Sequence, residues 1–598
     1  MKELEYSFDS QYILQNKRKI RRTLLEEKQK EKQNWIEKRI AILGGSTTAS
    51  IRQSLDLFLL NHGIKAEFYE SEFGKFYEDA IFSTPKLNEF KPEIVYIHTS
   101  NRNIQHYPVL TDSPECINKL IQAELEKYHA VWQSVSDRFH CPIIQNNFEM
   151  PLYRLLGNKD ASDPHGATNF LTKLNMLFYD YAQKHNNFFI CDINYISADY
   201  GLKEWSNPFY WYMYKYALNV NAIPYLAFNV ANIIKSILGK NKKGLVLDLD
   251  NTLWGGVIGD DGVENIKIGR EESTGQVYSE FQSYLKSLKQ LGLVLCVDSK
   301  NDEKNALAGL NHPEGILKPE DMLIIKANWK PKDKNMVDIA SELSLLPESL
   351  VFVDDNPAER HIVSEQLIGV SSPEIGESHQ YIQTIDRSGF FEATYISSDD
   401  LKRNEMYKEN LERAKEKTSF ADYGEYLDSL QMKAIIRPFE SVYMERIAQL
   451  TNKTNQFNLT TKRFIQADIE AMAMDDNYIT LYGKLEDKFG DNGVVTVTIG
   501  EIKEQKCHII LWLMSCRVLK RDMEYAMMDT LIHTCQARGI KELIGYYYPT
   551  AKNDMVKDFY LDMGFELLFD IGGETSWKYS IPEKNYKNRN KHIEIVRS

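Results

Sequence analysis

Gly244-Leu-Val-Leu-Asp248-Leu-Asp250-Asn-Thr252-Leu-Trp254 is the stretch that decides the fold of this 598-residue chain. Its apolar run predicts a buried β-strand, and its two aspartates leave that strand on the same face. Two carboxylates held so close repel each other unless a cation lies between them, and Mg²⁺ prefers such oxygen ligands. With a metal bound, Asp248 can attack a phosphoryl group while Asp250 transfers a proton. The alternative is an ordinary acidic turn.

Three later stretches supply the other parts of a phosphoryl-transfer site. Asp298-Ser299-Lys300-Asn301 follows a predicted strand and contains a hydroxyl donor. The stretch 328–332 supplies ammonium groups, and Asp354-Asp355-Asn356-Pro357 follows another predicted strand with more carboxylates. The carboxyl ends of parallel strands gather at one sheet edge, where ligands bind in open α/β folds. Carboxylates there can hold Mg²⁺, while Ser and Lys contact phosphoryl oxygens.

Each of these residues also has a purely structural interpretation. Ser299 can cap the following helix. Two of the three lysines Lys330, Lys332 and Lys334 are expected to be surface charge, and the stretch 354–357 can be a simple turn. The chain order of the four stretches, each at a strand end, favours the catalytic interpretation.

Composition limits the protein class. A net charge of −13 argues against non-specific nucleic-acid binding, and no run of about twenty apolar residues could span a bilayer. The first residues lack the apolar segment of a secretory signal. Seven scattered cysteines without a Cys-x-x-Cys pair are typical of reduced thiols. We therefore expect a cytoplasmic protein that binds neither nucleic acid nor membrane.

The alternation of short apolar runs and helical segments predicts an α/β protein of several domains. We expect a helical arm (1–39), an α/β domain (40–240), a second α/β domain (241–395), an α+β domain (396–582) and a frayed polar tail (583–598). Strands are predicted at 40–43, 66–69, 94–98, 142–145, 188–192, 245–249, 293–297, 322–326, 350–353, 478–485, 494–500, 508–514 and 542–547. A helix is predicted at 524–538.

The four stretches resemble the haloacid dehalogenase (HAD) superfamily, specifically its subclass IIIC and the FkbH-like proteins. The resemblance continues through Thr451–Thr461, Phe489–Gly493 and Ser515–Leu519, so it covers most of the chain. It implies that Asp248 is the nucleophile and Asp250 the general acid and base. It further implies phosphate-binding residues (Thr252, Ser299, Lys300, Asn301 and Lys332) and Mg²⁺ ligands (Asp248, Asp250, Asp354 and Asp355).

Motif spacing limits what covers the site. About fifty residues separate Thr252 from Ser299, and about twenty separate Lys332 from Asp354, which leaves no room for a separate cap domain. We expect the site to be roofed only by the glycine-containing loop 254–262. Such an open site suits a large substrate, for example a group carried on another protein.

Acyl transfer is the second enzymatic hypothesis. The resemblance to FkbH-like proteins implies dephosphorylation of a bisphosphoglycerate and loading of the glyceryl group onto an acyl carrier protein. That chemistry needs a thiol, commonly a cysteine just before the motif serine, and this chain has Asp298 there. Cys296 lies on the same strand face but deeper, and we expect it to be buried and inert.

The flanking domains have weaker signals. The C-terminal domain resembles the GNAT acyltransferase fold, with Arg517 at the start of the loop that would bind the pyrophosphate of acyl-CoA. Lys520 and Asp522 stand where that loop has glycines, which hinders close backbone approach. We therefore expect docking of a carrier protein or phosphopantetheine group rather than an active acetyl-CoA site.

The N-terminal α/β domain resembles the SGNH hydrolases, a flavodoxin-like fold, and Ser46 after Gly44-Gly45 occupies the nucleophile position. The expected Asp-x-x-His pair is missing, His98 is isolated, and Asp163-Pro-His165 is one residue short of that spacing. We expect Ser46 to cap a helix or bind a ligand.

The sequence thus predicts a cytoplasmic, Mg²⁺-dependent HAD phosphatase or phosphotransferase of a biosynthetic pathway. Its expected substrate is an acyl phosphate or a phosphorylated group, free or carrier-bound. The reaction is expected to pass through an aspartyl-phosphate. The alternatives are a glyceryl or acyl transferase acting on an acyl carrier protein, and a non-catalytic scaffold. The intact Asp250 argues against the scaffold.

Overall fold

A computed structural model describes residues 1–30, 35–82, 84–550, 552–583 and 585–596 of the chain. It separates into two units, Met1–Ile237 and Leu238–Ser598. None of the helices in the described ranges combines the length and hydrophobicity needed to cross a bilayer.

The first unit is built on a parallel sheet with the strand order β2–β1–β3–β4–β5. This is the flavodoxin-like order, in agreement with the fold expected for this domain. The strands are β1 (Ile36–Gly44), β2 (Ile64–Glu70), β3 (Ile94–His98), β4 (Ile143–Asn146) and β5 (Phe188–Cys191). The helices are α1 (Ser10–Lys30), α2 (Ala49–Asn61), α3 (Phe76–Ile81), α4 (Pro85–Phe90), α5 (Pro114–Phe139), α6 (Ala167–Ala182), α7 (Ile193–Tyr200), α8 (Leu202–Trp205), α9 (Pro208–Tyr214) and α10 (Ile223–Ile237).

The N-terminal segment corrects the prediction of a helical arm over residues 1–39. Helix α1 packs against α2 and α10, and its Ile13, Ile20 and Leu24 are buried. Strand β1 begins at Ile36, inside the predicted arm. The apolar face of α1 is removed from water by this packing, so the helix is part of the unit's core. Residues 31–34 of the predicted arm lie outside the described residues.

The second unit contains a parallel sheet with the order β8–β7–β6–β9. Its strands are β6 (Gly244–Leu247), β7 (Val294–Ser299), β8 (Ile324–Ala327) and β9 (Leu350–Val353). Every residue of β6, β7 and β9 is buried, as expected of strands covered on both faces. The helices of this part are α11 (Ile258–Asp261), α12 (Ser273–Gln290), α13 (Glu303–Leu310), α14 (Lys332–Glu342), α15 (Pro357–Gln366) and α16 (Tyr381–Arg387).

A mixed sheet follows in the same unit, with the order β16–β17–β15–β14–β13–β12–β10–β18 and β11 added on β14. Its strands are β10 (Met432–Arg437), β11 (Phe457–Asn458), β12 (Tyr478–Asp487), β13 (Gly490–Lys503), β14 (Lys506–Met514), β15 (Glu542–Tyr547), β16 (Glu566–Ile571), β17 (Glu574–Ser580) and β18 (Ile593–Ile595). The helices are α17 (Ser398–Leu401), α18 (Arg403–Lys417), α19 (Tyr423–Ser429), α20 (Met444–Lys453), α21 (Gln466–Met474), α22 (Met523–Ala537) and α23 (Phe559–Asp562). This α+β arrangement agrees with the GNAT-like prediction.

The C-terminal segment is not the frayed tail that its polar composition predicts. Strand β18 pairs in parallel with β10, and the backbone N–H groups of Arg589 and Asn590 donate to the Asp529 carboxylate. The paired backbone anchors residues 585–596 to the sheet. Residues 584, 597 and 598 lie outside the described residues.

A buried ion cluster ties α18 to the mixed sheet. The Arg413 guanidinium donates to both carboxylate oxygens of Asp487, at 2.8 and 2.6 Å, and Arg521 lies 3.1 Å from the same carboxylate. All three side chains are buried. Removing one charge of such a cluster leaves the others without compensation, which costs more than the intact pair contributes.

We expect Asp487→Ala to lower the free energy of unfolding by about 3–5 kcal/mol, because Arg521 would lose its carboxylate partner and Arg413 would keep only Glu409, at 3.3 Å. Glu412→Ala is the matched control, since Glu412 forms only a surface pair with Lys415 on the same helix. Its effect should stay below about 1 kcal/mol. Urea unfolding followed by circular dichroism measures both, and equal effects of the two substitutions would contradict this assignment.

Candidate active site

Three carboxylates converge at the carboxyl edge of the parallel sheet in the second unit. Strand β6 pairs directly with β9, which brings Asp248 beside Asp354 although about a hundred residues separate them. One oxygen from each of Asp248, Asp354 and Asp355 lies within 4.8 Å of the others. Asp248 and Asp354 are buried and Asp355 is half-buried.

Lys332 lies against two of these carboxylates. Its Nζ is 2.9 Å from Asp248 Oδ1 and 2.5 Å from Asp354 Oδ2, and its side chain is 3% exposed. Burial disfavours the charged ammonium, but the two aspartates outweigh burial and raise the pKa of Lys332 above its usual value. Lys330 and Lys334 are exposed, as expected for two of the three lysines.

The three-aspartate group, formed by Asp248, Asp354 and Asp355, fits a divalent cation. Burial and the charge of Asp248 raise the pKa of Asp354 to about 6, and they also raise the pKa of Asp355. Carboxylates that disfavour one another's ionisation are stabilised by a shared cation, and three carboxylate oxygens are a donor set that suits Mg²⁺. Asp248, Asp354 and Asp355 are therefore the residues that could hold it.

Asp250 departs from the predicted ligand set, because its carboxylate lies outside the three-aspartate group. Its Oδ1 accepts hydrogen bonds from the Trp254 indole at 2.9 Å and the Ile258 backbone at 3.0 Å. Its Oδ2 accepts from the Asn301 amide at 3.0 Å. Burial raises the pKa of Asp250, so the protonated form is favoured relative to a carboxylate in water. This environment suits proton transfer better than metal binding.

The predicted phosphate-binding residues divide into two groups. Thr252 and Ser299 are buried at the site, and the Thr252 hydroxyl accepts from the Asp355 backbone N–H at 3.2 Å. Ser299 does not cap the next helix, since α13 begins at Glu303 with Asp302 as its N-cap residue.

Asn301 and Lys300 have other contacts than those predicted. The Asn301 amide supports Asp250, and the Lys300 ammonium pairs with Glu359 at 2.6 Å on the surface. In this structure Lys332 is thus the ammonium group that reaches the carboxylates.

Two further side chains, Arg360 and Asn335, support the site, although the sequence gives no sign of their roles. The Arg360 guanidinium donates to the backbone carbonyls of Asp354 and Asp355, at 2.7 and 2.8 Å, and fixes this loop. The Asn335 amide donates to Asp298 Oδ1 at 2.9 Å, beside Lys332 on α14. Burial raises the pKa of Asp298 to about 7. Arg360 lies one helical turn beyond Pro357, and nothing in its local sequence marks its role.

A short loop covers the site. Between Asp250 and α12 the chain forms a bridge between Gly255 and Lys267 and the four-residue helix α11. The Gly256 N–H donates to the Asn251 side chain, and Gly256 has a φ of 96°, which favours glycine.

Cys296, the thiol of the acyl-transfer hypothesis, is fully buried in the apolar cluster between the sheet and α14. Burial raises its pKa to about 12. A thiol in this environment is a poor nucleophile, because the reactive form is the thiolate.

Ser46 in the first unit contacts His98, which corrects the prediction that His98 is isolated. The distance from Ser46 Oγ to His98 Nε2 is 3.0 Å, and both residues are buried. Ser46 does not cap a helix, because the residue before α2 is Thr48.

Asn146 determines which nitrogen of His98 carries the proton. Its Nδ2 donates to the Thr99 carbonyl at 3.1 Å and to His98 Nδ1 at 3.0 Å. Nδ1 is therefore the acceptor, so Nε2 carries the proton and donates to Ser46. Activation of the serine would need the opposite arrangement. Burial lowers the pKa of His98 to about 4, which keeps the ring neutral.

The loop after β14 has the backbone of a glycine-containing turn without its glycines. Lys520 and Asp522 have φ values of 62° and 61°, in the left-handed region. The Arg521 side chain is bound to Asp487 inside the protein and is not free to compensate for Asp522. Arg517 contacts the Ser515 hydroxyl at 3.2 Å and the sulfur of Met406.

Comparison with known proteins supports this architecture. The model of the FkbH N-terminal domain matches residues 39–235. The N-terminal part of protein BF1531 from Bacteroides fragilis, containing a phosphatase domain complexed with Mg, is 30% identical, with a TM-score of 0.58. That match covers 63% of this chain and 99% of the solved chain. No curated protein matches the sequence.

Two acetyltransferases align with about a quarter of this chain. The ribosomal-protein-S18-alanine N-acetyltransferase of Escherichia coli is 11% identical, covering 26% of this chain and 99% of its own, with a TM-score of 0.20. The PaiA N-acetyltransferase of Thermoplasma acidophilum, in complex with coenzyme A, is 13% identical, covering 25% and 99%, with a TM-score of 0.19. Scores this low add nothing to the strand order described above. The FkbH domain match and the 30% identity to a solved phosphatase-domain protein show that the chain belongs to the FkbH-like family of proteins with a HAD phosphatase domain.

Proposed function

We propose that the protein is a Mg²⁺-dependent HAD phosphatase or phosphotransferase that works through an aspartyl-phosphate on Asp248. The observation that carries this proposal is the convergence of Asp248, Asp354, Asp355 and Lys332 at one sheet edge. The solved BF1531 protein, with Mg bound, supports the choice of metal.

The covalent chemistry balances with the residues present. An Asp248 oxygen attacks phosphorus, the bond from phosphorus to the substrate oxygen breaks, and the leaving oxygen takes a proton from Asp250. Asp250 then accepts a proton from a water molecule or acceptor hydroxyl that attacks the phosphoenzyme. The phosphorus–oxygen bond to Asp248 breaks, and phosphate or a new phosphate ester leaves. Trp254, Ile258 and Asn301 hold Asp250 in place for both transfers.

The surrounding groups stabilise the negative charge of the phosphoryl group during the reaction. The Lys332 ammonium orients Asp248 and offsets negative charge that develops on the phosphoryl oxygens. Mg²⁺ held by Asp248, Asp354 and Asp355 would supply further neutralisation of those oxygens. Thr252 and Ser299, both buried at this edge, would donate hydroxyl hydrogen bonds to the phosphoryl oxygens.

The proposed substrate is an acyl phosphate or a phosphorylated group on a larger carrier, used in a cytoplasmic biosynthetic pathway. The short cover formed by α11 and the Gly255–Lys267 bridge supports a large substrate, because a closed cap would exclude one. An acyl carrier protein is a suitable partner for such a site.

The acyl-transfer alternative lacks a reactive thiol at this site. Cys296 is buried, and Asp298 occupies the strand end beside Ser299. A mass increase on the protein or on an added carrier, lost in Cys296→Ala, would favour acyl transfer over phosphate release.

We expect Asp248→Asn to lower phosphate release from a panel of phosphate esters and acyl phosphates at least about a thousandfold, because the nucleophile is lost. Asp338→Asn is the matched control, since Asp338 lies on the exposed surface of the same helix as Lys332. Phosphate release is measured with Mg²⁺ present. Equal activity of wild type and Asp248→Asn, or no turnover of any substrate, would contradict the proposal.

Metal binding separates the two groups of aspartates. We expect Asp355→Asn to weaken Mg²⁺ binding, measured by titration calorimetry, at least about tenfold, because a ligand is removed. Asp250→Asn should leave Mg²⁺ binding nearly unchanged, since its carboxylate is held by the covering loop. If both substitutions weaken Mg²⁺ equally, Asp250 is a fourth ligand after all.

The leaving group tests the acid role of Asp250. We expect Asp250→Asn to slow release from an alkyl phosphate by about 10²- to 10⁴-fold, because an alkoxide needs a proton as it leaves. Acyl phosphates and 4-nitrophenyl phosphate should be much less affected, since their leaving groups are stable as anions. The leaving group is measured in the first turnover, before the phosphoenzyme hydrolysis in which Asp250 acts as base. Identical slowing of this first step for both substrate types would exclude the role of Asp250 as general acid.

A further inference from the structure

A cavity of about 110 Å³ lies within the second unit, away from the three-aspartate group. Its walls come from the residue before β6, the segment between α14 and β9, α17 and the start of α18, α20 with the residues up to β11, and the turn after β14. Asp248, Asp354 and Asp355 do not line it. The cavity therefore belongs to a part of the molecule that the proposed phosphatase chemistry does not use.

Five cationic side chains line this cavity, and we refer to it as the basic cavity: Lys243, Arg403, Arg446, Lys453 and Arg517. Two aspartates face them. Asp400 is shared between Arg403 and Lys453, and Asp399 lies 2.8 Å from Arg446. The third carboxylate of the lining, Glu348, is paired with Lys552 outside the cavity.

Two of the cations have no carboxylate partner among the described residues. The Arg517 guanidinium contacts a hydroxyl and a thioether sulfur, and no ion pair involves Lys243. Positive charge is thus in clear excess within a confined space. Buried cations without counter-ions are costly, so an uncompensated cluster indicates that an anion completes it.

The cations also have surface that remains open to the cavity. The side chains of Arg403, Arg446 and Lys453 are 21%, 14% and 31% exposed. Burial, reinforced by the charges of Arg403, Arg446 and Lys243, lowers the pKa of Lys453 to about 7. Burial and the neighbouring Arg517 lower the pKa of Arg446 to about 10. The cations therefore destabilise one another in the absence of an anion.

The basic cavity also accounts for two sequence motifs that the phosphatase site leaves without a role. Lys453 belongs to the stretch Thr451–Thr461, and Arg517 belongs to Ser515–Leu519. The pairing of β11 with β14 brings the two stretches together at the cavity. The side chain of Cys516 lies in the same wall.

We propose that the basic cavity binds a phosphate group, either as inorganic phosphate or as the phosphate of a monoester. A phosphate dianion matches the excess of positive charge better than a carboxylate, which carries one negative charge. Guanidinium groups also bind phosphate oxygens through paired hydrogen bonds. The site is separate from Asp248, so its occupation does not depend on the proposed phosphatase reaction.

Alkylation of Cys516 reports whether the cavity is filled. The full-length protein is treated with N-ethylmaleimide, with and without inorganic phosphate, and the modified peptides are quantified by mass spectrometry. At a phosphate concentration about ten times the Kd, modification of Cys516 should slow about tenfold, because roughly nine in ten sites are filled. Cys116 in the first unit, which is also partly exposed, is the internal reference and should not change.

Lys243→Met and Arg517→Gln test the cations themselves. Neither substitution leaves a carboxylate without its partner, so both proteins should fold as wild type by circular dichroism. Each should raise the phosphate concentration that half-protects Cys516 from alkylation about tenfold or more. Lys520→Met, in the same loop as Arg517 but outside the cavity lining, is the matched control and should keep the wild-type value. Asp248→Asn should keep it as well, which separates this proposal from the phosphatase site.

Other anions distinguish the possible ligands. Protection by glycerol 3-phosphate as well as phosphate would show that the cavity accepts an ester, and protection by phosphate alone would identify the free anion. Equal protection by acetate or chloride at matched ionic strength would overturn the assignment to phosphate. Unchanged protection in both Lys243→Met and Arg517→Gln would overturn the site.

Discussion

The contact of one ammonium group with two buried carboxylates is the interaction on which the phosphatase-like site depends. Lys332 lies between Asp248 and Asp354, the ends of two adjacent strands. Without this positive charge, two carboxylates in a largely water-free site would repel each other and favour protonation. An aspartate that attacks phosphorus must be ionised. Lys332 therefore links the stability of the sheet edge to the reactivity of the proposed nucleophile.

The two motif aspartates of β6 have different environments although they are only two residues apart. Asp248 faces the other carboxylates and Lys332, whereas Asp250 is held by an indole, a backbone N–H and an amide. The Lys332 ammonium offsets negative charge at Asp248, whereas burial raises the pKa of Asp250 against the opposing effect of its hydrogen-bond donors. This difference agrees with the separate roles of nucleophile and general acid that we propose for them.

Charged side chains form two contrasting arrangements inside the second unit. Around Asp487, two guanidinium groups surround a fully buried carboxylate through short hydrogen bonds, so the cluster is compact and structural. Around the basic cavity, cations outnumber their carboxylate partners and retain open surface. The same residue types therefore form a structural contact in one place and a candidate ligand site in the other, and compensation of charge is the difference.

The sequence by itself predicted the strands of both parallel sheets and the acidic and basic stretches that follow them, because buried strands and motif spacing are local patterns. It could not determine that α1 and the C-terminal residues join their units, since their partners are distant in the chain. Only the tertiary structure decided that Asp250 faces the covering loop, that His98 donates to Ser46, and that five cations from four separate segments share one cavity. Side-chain direction and charge compensation depend on long-range packing, which no local pattern encodes.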